Sequence, residues 1–162
     1  MRKYRWLSTL ACIGCSGAIA AGASTDVSTY SCEYEIKNRG TAGWATVELK
    51  GGEIQKISFQ NAVGGGPGQP SYTCWVDASR DGTGISQTNT EVTWKKNGRS
   101  IKVEFKDASQ AGDSHSMIVT RTSRGFLLDM RDTQTNRMCG AGAALPESVL
   151  VPITSKKCSV KL

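Results

Sequence analysis

Apolar and polar residues alternate along short segments of this chain, and this alternation restricts its fold more than any other feature. In segment 101–106, Ile, Val and Phe occupy every second position, and charged residues stand between them. The same period of two recurs in segments 30–36 and 44–50. Successive side chains of a β-strand point to opposite faces, so the pattern predicts strands buried on one face. No window of a dozen residues has the 3.6-residue period of an amphipathic helix.

Turn signals separate these segments at short intervals. Gly51-Gly52 and Asn97-Gly98 each predict a tight hairpin, and the second predicts a type I′ turn with positive φ at both residues. Residues 61–71 are rich in Gly and Pro, and residues 106–116 are polar, so both segments predict loops. The spacing predicts an all-β fold: a single antiparallel β-barrel or sandwich of about eight short strands, stapled by disulfides.

The N-terminal residues have the pattern of a secretory signal peptide. Three basic residues precede a mostly small and apolar run, which ends in the A-x-A exit Ala21-Gly22-Ala23. We therefore predict a signal peptide at residues 1–23, a flexible lead at 24–29 and one β-domain at 30–162. The expected location of that domain is the periplasm or the exterior of the cell.

Other features of the sequence bear on membranes and nucleic acids. Cys12 and Cys15 lack the apolar residue that a lipid-attachment signal has three positions earlier, so a lipid anchor is not expected. No later stretch approaches the ~18 apolar residues of a membrane span. Loss of the signal peptide removes three of the 20 basic residues and none of the 14 acidic ones, which leaves a net charge of +3. Because the basic residues are scattered, no nucleic-acid partner is expected.

Four cysteines follow the predicted signal peptide: Cys32, Cys74, Cys139 and Cys158. An exported protein meets an oxidising compartment, where an even set of cysteines forms disulfides. Four cysteines allow three connectivities. Local pairing, Cys32 with Cys74 and Cys139 with Cys158, is preferred. The open alternative pairs Cys32 with Cys139 or Cys158 and ties the first strand to the last.

Residues suited to catalysis are scarce. His115 is the only histidine, and its polar surroundings predict an exposed loop residue rather than a general base, which must be held rigidly beside a nucleophile. One histidine, with no C-x-x-C pair after the predicted signal peptide, predicts no metal site. Asp129 and Asp132 stand three apart, so on a strand they face opposite ways and are expected to be solvated. We therefore predict no enzyme activity and no cofactor.

Three tryptophans, Trp44, Trp75 and Trp94, lie on predicted strands. Packing in a core or an interface is the ordinary role of tryptophan on a strand, and we expect it here. The alternative is an exposed aromatic row that stacks on sugar rings.

The first predicted strand begins Tyr30-Ser31-Cys32, just after the signal peptide. In this it resembles the exported inhibitors of C-type lysozyme of the Gram-negative periplasm, in which a Tyr-x-Cys strand opens an eight-stranded antiparallel barrel. The resemblance implies a non-enzymatic binding protein that acts on a lysozyme-like partner. The Ser-Gly-x-x-Tyr loop with which that family enters the lysozyme cleft has no counterpart here, since the only Ser-Gly pair is Ser16-Gly17.

Binding residues concentrate on loops that a rigid scaffold displays, so the two long predicted loops are the expected partner contacts. One contributes exposed backbone and the other contributes polar groups: Gly64, Gly65 and Gly66 in the first, and Asp113, Ser114 and His115 in the second. The expected partner is a protein, either a lysozyme-like enzyme or a toxin for which this chain is the periplasmic immunity protein. A cell-wall glycan hydrolase is the remaining alternative.

Overall fold

The computed structural model describes residues 26–37, 40–64, 72–81, 90–107, 114–133 and 145–162, so the predicted signal peptide lies outside them. The described residues form ten β-strands and no α-helix, which confirms the all-β class and corrects the strand count of about eight. The strands are β1 (Val27–Ile36), β2 (Thr41–Lys50), β3 (Glu53–Val63), β4 (Tyr72–Ser79), β5 (Thr90–Asn97), β6 (Ser100–Asp107), β7 (Ser114–Arg121), β8 (Gly125–Asp129), β9 (Ser148–Pro152) and β10 (Ser159–Lys161). No described segment is a helix of the length and apolarity that crossing a membrane requires.

The strands form two antiparallel sheets, ordered β1-β2-β3-β4 and β10-β9-β8-β7-β6-β5. The described strands do not close into a barrel, so the barrel form of the prediction is wrong. The buried apolar side chains of both sheets belong instead to one core. Across it, the ring of Tyr30 in β1 packs against the ring of Phe126 in β8, with 5.3 Å between their centroids. The first sheet therefore has an inner face on this core and an outer face directed away from it.

At one edge, the two sheets are joined by β1 and the residues just before β10. The N–H of Glu33 donates to the carbonyl oxygen of Lys156, and the N–H of Cys158 donates to the carbonyl oxygen of Glu33, both at 2.9 Å. This contact is an isolated parallel bridge, too short to extend either sheet. The disulfide between Cys32 and Cys158 lies beside it and fits an oxidising compartment.

The Cys32–Cys158 bond corrects the preferred connectivity, because it excludes Cys32 with Cys74 and Cys139 with Cys158. The Cα atoms of Cys32 and Cys158 are 5.1 Å apart, within the range of a disulfide. Cys74 lies on β4, three strand spacings or ~14 Å from β1, which is too far for a bond to Cys32. Cys74 is also disulfide-bonded. Its partner lies outside the described residues, and Cys139 lies outside them as well.

At the opposite edge, side chains rather than strand pairing join the sheets. The indole Nε1 of Trp94 in β5 donates to the carbonyl oxygen of Ser79 in β4 at 3.3 Å. The guanidinium of Arg80 stands 5.2 Å from the centroid of the Trp94 ring and also donates to the carbonyl oxygen of Ile54 at 2.7 Å. Trp94 is partly buried against the core, which confirms the expected packing for this tryptophan.

Two strands extend beyond their predicted ends. β1 begins at Val27, inside the predicted flexible lead, and Val27 pairs with Lys50 of β2. β3 continues to Val63, inside the predicted loop 61–71, where it pairs with both β2 and β4. In both places, strand pairing satisfies the backbone N–H and C=O groups, which would be exposed to water in the predicted lead and loop.

The hairpin at Gly51-Gly52 is confirmed, whereas the turn between β5 and β6 differs from the predicted type. Asn97 pairs with Ser100, so the two central residues are Gly98 and Arg99. Gly98 has a φ of 59°, and no described non-glycine residue has positive φ, which makes this a type II′ turn. A type I′ turn at Asn97-Gly98 would shift the pairing of β5 with β6 by two residues from the observed register. Both registers bury the same strand faces, so the alternation of apolar and polar residues does not distinguish the two turns. The observed register needs positive φ only at the glycine.

This turn assignment predicts different costs at its two neighbouring residues. Gly98→Ala should lower the free energy of unfolding by about 1–2 kcal/mol, because an L residue is strained in the left-handed region. Asn97→Ala should change it by less than about 0.5 kcal/mol, because Asn97 is exposed and does not have positive φ. Urea denaturation of both variants measures the difference. Equal losses at the two positions would contradict the type II′ turn.

Candidate binding site

The predicted glycine loop is described only at its first residue. Gly64 directly follows β3, and its N–H donates to the carbonyl oxygen of Gly40 at 2.7 Å. A Cβ atom added to Gly64 would lie 3.2 Å from the same oxygen, so its backbone is held close to the residue that precedes β2. Gly65 and Gly66 lie outside the described residues. The partner contacts of this loop stay a prediction.

The second predicted loop is shorter than expected, because Ser114 and His115 are the first two residues of β7. His115 pairs with Phe105 of β6, and its side chain is only 4% exposed, so the expectation of an exposed loop histidine is wrong. Within the described part of the chain its Nδ1 atom has no hydrogen-bond partner. His115 lies on the same inward face as Met117, because residue 115 is paired into β7 by β6. Asp113 lies outside the described residues.

The carboxylate of Asp129 is bound by its own neighbour rather than paired with a second acid. It accepts hydrogen bonds from Nε of Arg131 at 2.9 Å and from the backbone N–H of Arg131 at 3.2 Å. Hydrogen bonding from the guanidinium lowers the pKa of Asp129. Asp132 is exposed. No group of three or more His, Cys, Asp or Glu side chains suited to a metal ion occurs in the described ranges.

Two tryptophans of the first sheet point away from the core. Ala45 is fully buried, so its neighbour Trp44 lies on the outer face of β2; Cys74 and Val76 are buried, so Trp75 lies on the outer face of β4. Trp44 is 39% exposed and Trp75 is 51% exposed. Neither indole therefore packs in the core, and the interface half of the expectation stays a prediction for both. The outward direction of Trp44 could have been predicted from the sequence. The apolar residues at positions 45, 47 and 49 form the buried face of the strand, and Trp44 lies on the other face.

The register places these two indoles in one line across the sheet. Trp44 pairs with Gln60 of β3, and Gln60 pairs with Trp75 of β4. The Nε1 atom of Trp44 donates a hydrogen bond to Oε1 of Gln60 and so ties the first indole to the amide. Two strand spacings separate the tryptophan backbones by ~10 Å. We call Trp44, Gln60 and Trp75 the tryptophan row.

A groove of about 880 Å³ lies beside one end of the tryptophan row. Trp44 and Gln60 line it together with Ala42 and Ala62, whose small side chains leave the sheet surface open. The segment that precedes β10 lines it as well, next to β1. The groove and the row thus form one continuous surface.

Charged groups of both signs line this groove. Glu33 and Glu35 of β1 contribute carboxylates, and Lys37, Lys156 and Lys157 contribute ammonium groups. All five residues are exposed. Within the described residues, no ion pair joins any of them. The groove therefore offers both donors and acceptors without a strong local charge.

The inner face behind the tryptophan row is tightly packed. The ring of Tyr34 lies over Gly43, where an added Cβ atom would be 2.5 Å from the tyrosine Cζ atom. Tyr34 also stacks on Phe59 with 6.2 Å between centroids, and its hydroxyl donates to Oδ1 of Asn61 at 2.7 Å. Burial raises the pKa of the Tyr34 phenol, so the group stays protonated as a donor. This packing gives Trp44, the residue after Gly43, a rigid support.

Comparison of the chain with protein-family models, with curated proteins and with solved structures finds no match.

Proposed function

We propose that this chain is an exported, non-enzymatic binding protein that binds its partner with the outer face of the first sheet. The observation that carries the proposal is the exposure of Trp44 and Trp75 in one cross-strand row. Tryptophan is enriched among the residues that dominate binding energy, and large exposed aromatic groups mark interaction surfaces. The strands beneath the row hold the backbones of both tryptophans at a fixed spacing, which limits the entropy lost on binding.

The environments of the acidic groups support a binding role rather than hydrolysis. Glu33 and Glu35 stand exposed on β1, without the apolar enclosure that a general acid on a glycoside uses. Asp129 is bound by Arg131. His115 is buried in β7, away from the groove lining. Glu33 and Glu35 line the groove together, but both are exposed to solvent, as a binding surface requires.

Export is supported by the N-terminal sequence pattern and by the disulfide. The bond between Cys32 and Cys158 joins residues 126 apart in sequence, and such structural bonds persist in oxidising compartments. Together with the Tyr-x-Cys resemblance, this favours a partner met in the periplasm or outside the cell.

The proposal predicts that one paired substitution removes binding. Immobilised C-type lysozyme represents the protein partner that the resemblance implies, and purified peptidoglycan sacculi represent the cell wall. We expect the chain from residue 24 to bind at least one of them and Trp44→Ala/Trp75→Ala to weaken that binding by about thirtyfold or more, since central aromatic residues dominate interfaces. Pull-down followed by titration measures the change.

A matched control separates this effect from general loss of surface apolarity. Ile153, which follows β9, is 42% exposed, and Ile153→Ala should bind as the parent does. The thermal midpoint of the double variant should stay close to that of the parent, because both indoles are exposed. Unchanged binding by the double variant would overturn the proposal, and so would failure of the parent to bind either probe.

A further inference from the structure

We infer that the tryptophan row binds an extended β-1,4-linked glycan of uncharged sugars. This inference rests on the proposed function and names the class of ligand. Each exposed indole offers a flat apolar surface that matches the C–H face of a pyranose ring, while its edge remains able to hydrogen-bond. Trp44 and Trp75 present two such surfaces on one sheet face.

The separation of the two indoles selects the linkage. Their backbones stand ~10 Å apart across two strand spacings, which is close to the length of one disaccharide repeat in a β-1,4-linked chain. Such a chain is a flat ribbon that can lie across several strands. An α-1,4-linked chain curves and cannot lay two distant rings on one flat surface.

Gln60 supplies the hydrogen bonds that sugar hydroxyls require. Its amide stands between the two indoles, and its Oε1 atom already accepts a hydrogen bond from Trp44. That bond fixes the amide orientation and directs its NH₂ group, which carries two donors, away from Trp44. A sugar that bridges the two stacked rings would meet these donors.

The charges around the groove favour an uncharged ligand. A polyanion attracted by Lys37, Lys156 and Lys157 is also repelled by Glu33 and Glu35, and for a strongly basic protein the two effects are reversed. A glycan with hydroxyl groups can accept from the ammonium groups and donate to the carboxylates. Charge complementarity at this surface is therefore better for a neutral polyhydroxyl chain than for nucleic acid or a basic enzyme.

The neighbours of the row also argue against a protein partner at this face. A stable protein interface covers roughly 800 Å² on each partner, and its centre is enriched in apolar side chains. Outward positions beside the two indoles instead hold small or polar residues: Ala42, Ala62, Thr73 and Asp77. Two isolated aromatic surfaces with polar groups between them match a row of sugar rings more closely.

Titration calorimetry with soluble hexamers tests the inference directly. We expect cellohexaose or chitohexaose to bind saturably, and maltohexaose, the α-linked control, to bind at least about tenfold more weakly. Trp44→Ala and Trp75→Ala should each reduce affinity for the β-linked hexamer by about tenfold or more. Gln60→Ala should reduce it less, and Ile153→Ala should leave it unchanged. Disaccharides should bind far more weakly than hexamers, because they cannot span both indoles.

The outcomes separate this inference from the proposed function. If lysozyme or sacculi bind in a Trp44- and Trp75-dependent manner but no β-linked hexamer binds, the glycan inference is wrong and the binding surface stands. Equal affinity for maltohexaose, or hexamer binding unaffected by Trp75→Ala, also overturns the inference. Release of new reducing ends from a bound hexamer would overturn the non-enzymatic proposal while supporting the ligand class.

Discussion

Replacing Cys32 and Cys158 by Ala should lower the free energy of unfolding by about 4 kcal/mol, among the largest single effects expected in this protein. The bond closes a loop between residues 126 apart in sequence, and a loop of that length strongly restricts the unfolded chain. The expected loss is a large part of the stability of an ordinary domain. Guanidinium denaturation of the double variant, with the disulfide of Cys74 retained, measures it.

Hydrogen exchange adds a local measurement to this prediction. The amide of Cys158 donates to Glu33 across the junction of the two sheets, so its protection should fall more than that of amides within β2 or β3. Non-reducing peptide mapping serves as the control that the remaining disulfide has formed. A stability loss below about 1 kcal/mol would mean that backbone and core contacts hold β1 against β10 without the covalent bond.

Gly43→Ala should destabilise the protein by roughly 3 kcal/mol or more, through overpacking between β2, β3 and the ring of Tyr34. An added Cβ atom would overlap the backbone oxygen of Gln60 and would stand 2.5 Å from the hydroxyl oxygen of Tyr34. The backbone oxygen belongs to the β2–β3 ladder and cannot move without breaking it. Thermal and urea denaturation of the variant measure the loss.

Gly64→Ala is the matched control for this substitution. An added Cβ atom there would stand 3.2 Å from the carbonyl oxygen of Gly40, a contact that a shift of a few tenths of an ångström relieves. Its cost should stay below about 1 kcal/mol. A loss of stability in Gly43→Ala no larger than that in Gly64→Ala would show that the ring of Tyr34 does not pack over Gly43 in solution. That result would also contradict the rigid support of Trp44 by this packing.

The class of fold followed from local chemistry. Alternation between Ile101 and Phe105 predicted a half-buried strand, and β6 lies there. Gly51-Gly52 marked the hairpin between β2 and β3 correctly. These features depend on a period of two and on residues that tolerate a tight turn, and neither needs information from distant parts of the chain.

The candidate site was only half visible in the sequence. Adjacent residues of a strand point to opposite faces, so Trp44 points away from the face of Ala45, and Trp75 points away from the face of Cys74. The outward direction of each indole could therefore be predicted. Their alignment with Gln60 could not, because it depends on the registers of two separate ladders. A register shift of two residues in either ladder would leave every side chain on the same face of the sheet, but it would move the two indoles out of line.

Only the tertiary structure decided the disulfide, the burial of His115 and the joining of the two sheets. Cys32 bonds to Cys158 because β1 and the end of the chain meet at one edge, although they are far apart in sequence. His115 is buried because β7 extends to pair with β6. Sequence alone determined which segments are strands, since strand periodicity is local; which strand edges meet depends on how the whole chain buries its apolar surface in one core.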